Sequence, residues 1–218
     1  MKILKQKWVT ILHDKDFIIS FIVAFLFLAV SLIVNFYAGN YATEKASSPV
    51  TDIILSNVPE FDVNTIFIWG PVVMFVFVTL ISLYNPKRIP FVLKSIALFT
   101  VVRAVFISLT HLGPFPTKAV ILNASNFVNK FTFGGDLFFS GHTGLPFLLA
   151  LIFWREKSLR YIFLFLSAMF GVVVLLGHLH YSIDVLSAFF ITYAIYHMSM
   201  FFFKKDYTVF HSNVHQNV

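Results

Sequence analysis

Hydrophobic positions fall in long runs along this chain, and polar residues are confined to short stretches between them. Phe17 to Tyr37 is 21 residues without a charge. At about 1.5 Å per residue such a helix crosses a hydrocarbon core of roughly 30 Å. Comparable runs cover about 65–84, 91–112, 141–154, 161–177 and 181–203. Each is apolar on all sides, so helical periodicity is weak, and span length and flanking charge carry the assignment. The pattern predicts an all-α integral membrane protein with six transmembrane helices. A tail over 1–16, a membrane domain over 17–203 and a second tail over 204–218 complete it. The first run exceeds the roughly 7–15 apolar residues of a leader peptide, which predicts a retained helix. Residues 38–64 read as a loop with Pro49 and Pro59. Asn85-Pro86-Lys87-Arg88-Ile89-Pro90 reads as a helix-breaking turn, and Gly113-Pro114-Phe115-Pro116 ends the third run.

Composition agrees with this class. The chain is 58% hydrophobic and 12% charged over 218 residues, against about 25% charged in soluble domains. The net charge of +6 does not point to nucleic acid, because the basic residues flank the apolar runs. Twelve of the 16 Lys and Arg residues lie in the first tail, near the 85–94 and 155–160 turns, or just after the sixth run. Lys45, Lys118 and Lys130 lie on the opposite side, and Arg103 within a run. The positive-inside rule then places both termini in the cytoplasm. Trp8, Trp69, Trp154, Tyr37, Tyr84 and Tyr161 fit interfacial belts. With no cysteine in the chain, disulfides and thiolate chemistry are excluded.

Two polar islands interrupt the apolar sequence. One is Gly135-Asp136-Leu137-Phe138-Phe139-Ser140-Gly141-His142-Thr143, and the other is His178-Leu179-His180-Tyr181-Ser182-Ile183-Asp184. Ionisable groups at membrane depth are costly and are read as functional by default. The topology brings both islands to the non-cytoplasmic face. His180 and Asp184 stand four residues apart and share a helix face. A carboxylate on one imidazole nitrogen raises the basicity of the other, which makes a nucleophile toward phosphorus. The alternative is a polar pair that only satisfies itself. In Ser140-Gly141-His142-Thr143 the glycine allows a tight backbone approach, and free N–H groups at a helix start suit an anion. The Ser140 hydroxyl adds a donor, and His142 is placed for proton transfer. Read alone, the same residues are a serine cap beside an interfacial histidine. Arg103 requires a partner at its depth: a bound phosphate, backbone carbonyls, or a carboxylate such as Asp136 or Asp184, with snorkelling to the interface as the alternative. His142, His178, His180 and the acids are also a conceivable zinc set, although Arg103 and the Ser-Gly-His arrangement suit an anion better. His111 and His197 lie near span ends and read as interfacial.

Gly134-Gly135-Asp136-Leu137-Phe138-Phe139-Ser140-Gly141-His142-Thr143 and His180-Tyr181-Ser182-Ile183-Asp184-Val185 together resemble the sphingomyelin synthase-like branch of the type 2 phosphatidic acid phosphatase superfamily. Tyr196-His197 fits the end of the second block. Arg103 with Thr110, Pro114 and Pro116, and Val58-Pro59-Glu60-Phe61-Asp62, are weaker echoes. The chain departs from the pattern at Gly134, where the branch has cysteine. Val173-Val174 replace the Ser-Arg of the phosphatase signature. The resemblance implies transfer of a phospho-headgroup from a phospholipid donor to a lipid alcohol acceptor in the bilayer, with no cofactor and no metal. It implies catalysis by His142, His180 and Asp184, and phosphate or substrate binding by Arg103, Asp136, Ser140 and Gly141. Hydrolysis at the same site and a non-catalytic scaffold are the competing expectations. The expected setting is a bacterial inner membrane with a periplasm-facing site, or alternatively the exoplasmic face of a Golgi or plasma membrane. Neither substrate identity nor oligomeric state follows from the sequence.

Overall fold

The computed structural model describes residues 8–118 and 135–212. Among these the chain is all-helical. We label α1 Lys15–Glu44, α2 Asn64–Tyr84, α3 Ile89–Leu109, α4 Gly141–Ile152, α5 Lys157–Leu176, α6 Ser182–Phe202 and α7 Lys204–His211. Five helices are long and apolar enough to cross a membrane: α1, α2, α3 with the 3₁₀ turn before it, α5 and α6. α4 is apolar but has 12 residues, about 18 Å at the usual rise and short of a roughly 30 Å core. Together these helices suggest a multi-pass integral membrane protein. Large apolar side chains such as Leu26, Trp69, Val73, Phe165, Phe190 and Phe201 point outward, as a lipid-facing surface requires.

α3 is the most buried long helix. α1 lies along it through a narrow seam of Phe17, Ala24, Ser31 and Ala38, spaced by sevens. Small residues in this seam let the two backbones approach closely. α4 packs against α3, α5 and α6. At Gly144 an added Cβ would stand 2.8 Å from Phe99 and from Thr192 Oγ1, so glycine is what lets α4 sit this deep. At the end away from the polar islands, Lys94 donates to Asp206 and to Ser20, and Arg88 pairs with Glu156 at 2.9 Å. The buried ammonium of Lys94 is thus neutralised by the α7 carboxylate.

Several expected boundaries move. α1 continues to Glu44, so residues 38–44 are helix and the loop begins at Lys45. Ala38 and Ala42 pack on Ala104 and Ile107, and this contact outweighs a polar composition. Pro90 does not break a helix. It sits in the first turn of α3, where no N–H is needed. The expected run 91–112 ends as helix at Leu109, and part of the second tail forms α7. Gly134, Lys130 and the first seven residues, which figure in the sequence expectations, lie outside the described residues.

Candidate active site

One end of the bundle holds a pocket of about 270 Å³. Arg103, Lys118, Asp136, Gly141, His142 and His180 line its polar pole. Its other walls come from α1, α2, α3, α4 and α5 and are mostly apolar, with Leu32, Met74, Phe99 and Phe170 among them and Asn35 and Thr100 as the polar exceptions. The two polar islands therefore meet in one cavity.

His180 follows α5 through a sharp reversal. His178 adopts the left-handed conformation with φ 49°, uncommon for a non-glycine residue. Two side-chain contacts hold it: Nδ1 with Thr117 Oγ1 at 2.6 Å, and Nε2 with the Val58 carbonyl at 3.1 Å. The reversal puts buried His180 with Nδ1 3.4 Å from Asp184 Oδ2. The same carboxylate oxygen accepts the Tyr181 N–H at 2.9 Å at the start of α6. Asp184 is fully buried, and its Oδ1 has no hydrogen-bond partner among the described residues. With Nδ1–H facing a carboxylate, the basic atom of His180 is Nε2. His178 serves the turn instead of joining His180. Among the described residues no three His, Cys, Asp or Glu side chains converge on a metal position.

Ser140 caps α4 rather than lining the pocket. It is fully buried, and its Oγ takes Thr143 N–H at 3.4 Å and the Thr143 hydroxyl at 3.3 Å. Its own N–H reaches the Asp184 carbonyl at 3.1 Å, which ties the first island to the second. Ser140 thus has a structural part at the start of α4. Gly141 contributes differently from expectation. No glycine among the described residues has positive φ, so no glycine-only turn is present. A Cβ there would point at Arg103, 3.4 Å from Nε and 3.8 Å from Cζ. Its absence keeps open the space between the α4 N-terminus and the guanidinium, where two sources of positive potential converge.

Arg103 is buried and multiply held. Nε donates to the Phe139 carbonyl at 3.0 Å, and one terminal nitrogen donates to the Asp136 carbonyl at 2.6 Å and to Asp136 Oδ2 at 3.0 Å. It thus pins the segment before α4 onto α3. Of the five guanidinium hydrogens, the two on the other terminal nitrogen make no hydrogen bond among the described residues. His142 packs flat on Phe67, with ring centroids 4.1 Å apart, and its Nε2 lies 3.2 Å from the Phe67 carbonyl.

Two contributors escape sequence reasoning. Lys118 reaches the pocket from the loop after α3. Burial lowers its pKa below the ordinary lysine value, and the Asp136 charge opposes that shift. Its only signal in the sequence is a position two residues after the Pro114-Phe115-Pro116 bend. Asp52 clips the loop after α1 to the start of α6: its Oδ2 accepts the Ser182 N–H at 2.7 Å and the Ser182 hydroxyl at 2.8 Å, while Oδ1 accepts Ile54 N–H and Leu55 N–H. Tyr181 adds to the clamp by donating its hydroxyl to the Gly113 carbonyl at 2.7 Å.

Burial alone would raise the Asp52 carboxyl, but the hydrogen bonds from Ser182, Leu55 and Ile54 outweigh it and hold the group below its ordinary 3.8. A depressed carboxyl stabilises the fold above its unfolded pKa and loses that contribution as pH falls through the folded one. Asp52→Ala is expected to cost about 1–2 kcal/mol at neutral pH. Thermal melts in detergent should show the wild-type advantage shrinking once pH drops below that ordinary value.

Residues 134–201 match the PAP2 superfamily C-terminal family. The match supports membership of the type 2 phosphatidic acid phosphatase superfamily. It covers both polar islands and most of α6, and it stops short of Arg103, Lys118 and Asp52. Members of this superfamily are generally phosphatases and phosphotransferases, which points to an enzyme acting on lipid phosphate esters. No curated protein and no solved structure matches the chain significantly.

Proposed function

We propose that this protein is a membrane lipid phosphotransferase. It would move a phosphocholine- or phosphoethanolamine-type headgroup from a glycerophospholipid to a lipid alcohol such as ceramide or diacylglycerol. The observation that carries the reading is the pocket itself: His180 backed by Asp184, a second histidine, a guanidinium and a helix N-terminus meet at one pole, and the remaining walls are mostly apolar. An apolar wall suits an acceptor that is itself a lipid.

In the first half-reaction His180 Nε2 attacks phosphorus and the bond to the diacylglycerol oxygen breaks. His142 gives that oxygen a proton. Asp184 stabilises the positive charge on the phosphorylated imidazole. In the second half-reaction His142 removes the proton of the acceptor hydroxyl, whose oxygen attacks phosphorus and frees His180. The two unused Arg103 hydrogens, Lys118 and the Gly141 N–H face the phosphoryl oxygens, where charge develops in the transition state. The site would lie on the non-cytoplasmic face of a six-span protein with both termini in the cytoplasm. A bacterial inner membrane with a periplasm-facing site is the favoured setting.

The test is purified protein with isotope-labelled phosphatidylcholine or phosphatidylethanolamine, with and without ceramide or diacylglycerol, read by lipid mass spectrometry. The reading expects a new headgroup-bearing lipid only when the acceptor is present. Free phosphate or free phospho-headgroup without acceptor would assign hydrolysis to the same residues. Identical lipid profiles for wild type and His180→Ala in every condition would sink both.

A further inference from the structure

α2 carries a proline in its interior, Pro71, and the reason lies four residues earlier. In an α-helix the N–H of residue i donates to the carbonyl of residue i−4. Pro71 has no N–H, so the helical donor to the Phe67 carbonyl is missing. An open carbonyl in an apolar span is costly unless another group donates to it. Here His142 faces it, with Nε2 at 3.2 Å. A carbonyl oxygen can only accept, so Nε2 carries the hydrogen and Nδ1 of the neutral ring carries the lone pair. The Phe67 ring, stacked at 4.1 Å and 17°, fixes the imidazole plane but cannot choose between its nitrogens. Phe67, Pro71 and His142 all line the pocket.

We propose that Pro71 is a positioning residue for His142. By vacating the Phe67 carbonyl it creates the acceptor that fixes the His142 tautomer, and it leaves Nδ1 as the atom that exchanges protons with substrate. The two histidines are then anchored through opposite nitrogens, His180 by Nδ1 on a carboxylate and His142 by Nε2 on a main-chain oxygen. His142 enters each turnover as the imidazolium, with Nδ1 holding the proton taken from the previous acceptor hydroxyl; that proton goes to the leaving alkoxide, and the neutral Nε2–H ring then takes the next acceptor hydroxyl proton on Nδ1. The Nε2–H bond to Phe67 persists throughout. This proton-transfer part rests on the function proposed above, whereas the tautomer does not.

The experiment uses the full chain labelled with ¹⁵N-histidine in detergent, as wild type and as Pro71→Ala, with the His142 signal assigned by its loss in His142→Ala. Wild type is expected to show neutral His142 as the Nε2–H tautomer. In Pro71→Ala the N–H of the introduced alanine reclaims the Phe67 carbonyl, and the signal is expected to shift to a mixture or to Nδ1–H. Turnover should fall roughly 10-fold, as for other residues that orient a reacting imidazole. Thermal stability should hold or rise, because the helix regains the hydrogen bond that proline withholds. An Nδ1–H tautomer in wild type overturns the proposal. So does an unchanged Nε2–H tautomer in Pro71→Ala. A changed tautomer with unchanged turnover supports the positioning by Pro71 and overturns instead the acid–base part given to His142 in the proposed function.

Discussion

His180→Ala is expected to lower headgroup transfer by about 10³–10⁴-fold, because in the proposed mechanism it removes the atom that bonds to phosphorus. Stability should change far less. The buried Asp184 carboxylate loses one partner but keeps the Tyr181 N–H at 2.9 Å, a cost of about 1–3 kcal/mol. Asp184→Asn separates the two roles of that carboxylate. Asparagine can still accept the Tyr181 N–H, so α6 keeps its start. It can no longer oppose the positive charge on a phosphorylated His180, and turnover is expected to fall about 10²–10⁴-fold. The pair acts as a unit, so the double variant should be no slower than His180→Ala. Initial rates with mass-spectrometric product detection, alongside melts of each variant, check all three. If His180→Ala keeps activity within tenfold of wild type and His142→Ala has none, the nucleophile is the other histidine.

The membrane architecture is legible in the sequence because it depends on run length. Phe17–Tyr37 is long and apolar enough to cross a bilayer, and the observed helix contains that run. The extension of the helix beyond Tyr37 is not legible. Gly39, Asn40 and Thr43 are poor helix formers, and the helix continues through them where Ala38 and Ala42 pack on Ala104 and Ile107. The site divides the same way. His180 and Asp184 are visible as a local spacing of four, and Arg103 announces itself as a charge inside an apolar run. Lys118 and Asp52 have no local signature, because their roles depend on loops folding back over the bundle end. Asp52 lies 130 residues from the Ser182 it caps. Ser140 is legible as a cap, and the structure shows its Oγ accepting from Thr143. Pro71 reads as a nuisance inside a span until the carbonyl it frees is seen to face His142.

Arg103→Ala is expected to damage both the fold and the reaction, and the two losses can be separated. Truncation strands the Asp136 carboxylate and the Phe139 carbonyl that the guanidinium now satisfies, and breaking such a buried pair from one side costs about 3–5 kcal/mol. Turnover should fall about 10²–10³-fold, the range for losing a donor to developing charge. Arg103→Lys should rescue little, since one ammonium cannot hold two carbonyls and a carboxylate while also facing a phosphate. The deciding variant is Arg103→Ala combined with Asp136→Ala. Removing both charges relieves the stranded carboxylate, so the double variant should melt above Arg103→Ala alone. Its turnover should stay low, because the two guanidinium hydrogens that make no hydrogen bond among the described residues are still missing. If turnover instead returns together with stability, Arg103 is only the clamp that holds the 135–140 segment on α3. The phosphate would then be held by Lys118 and the α4 N-terminus.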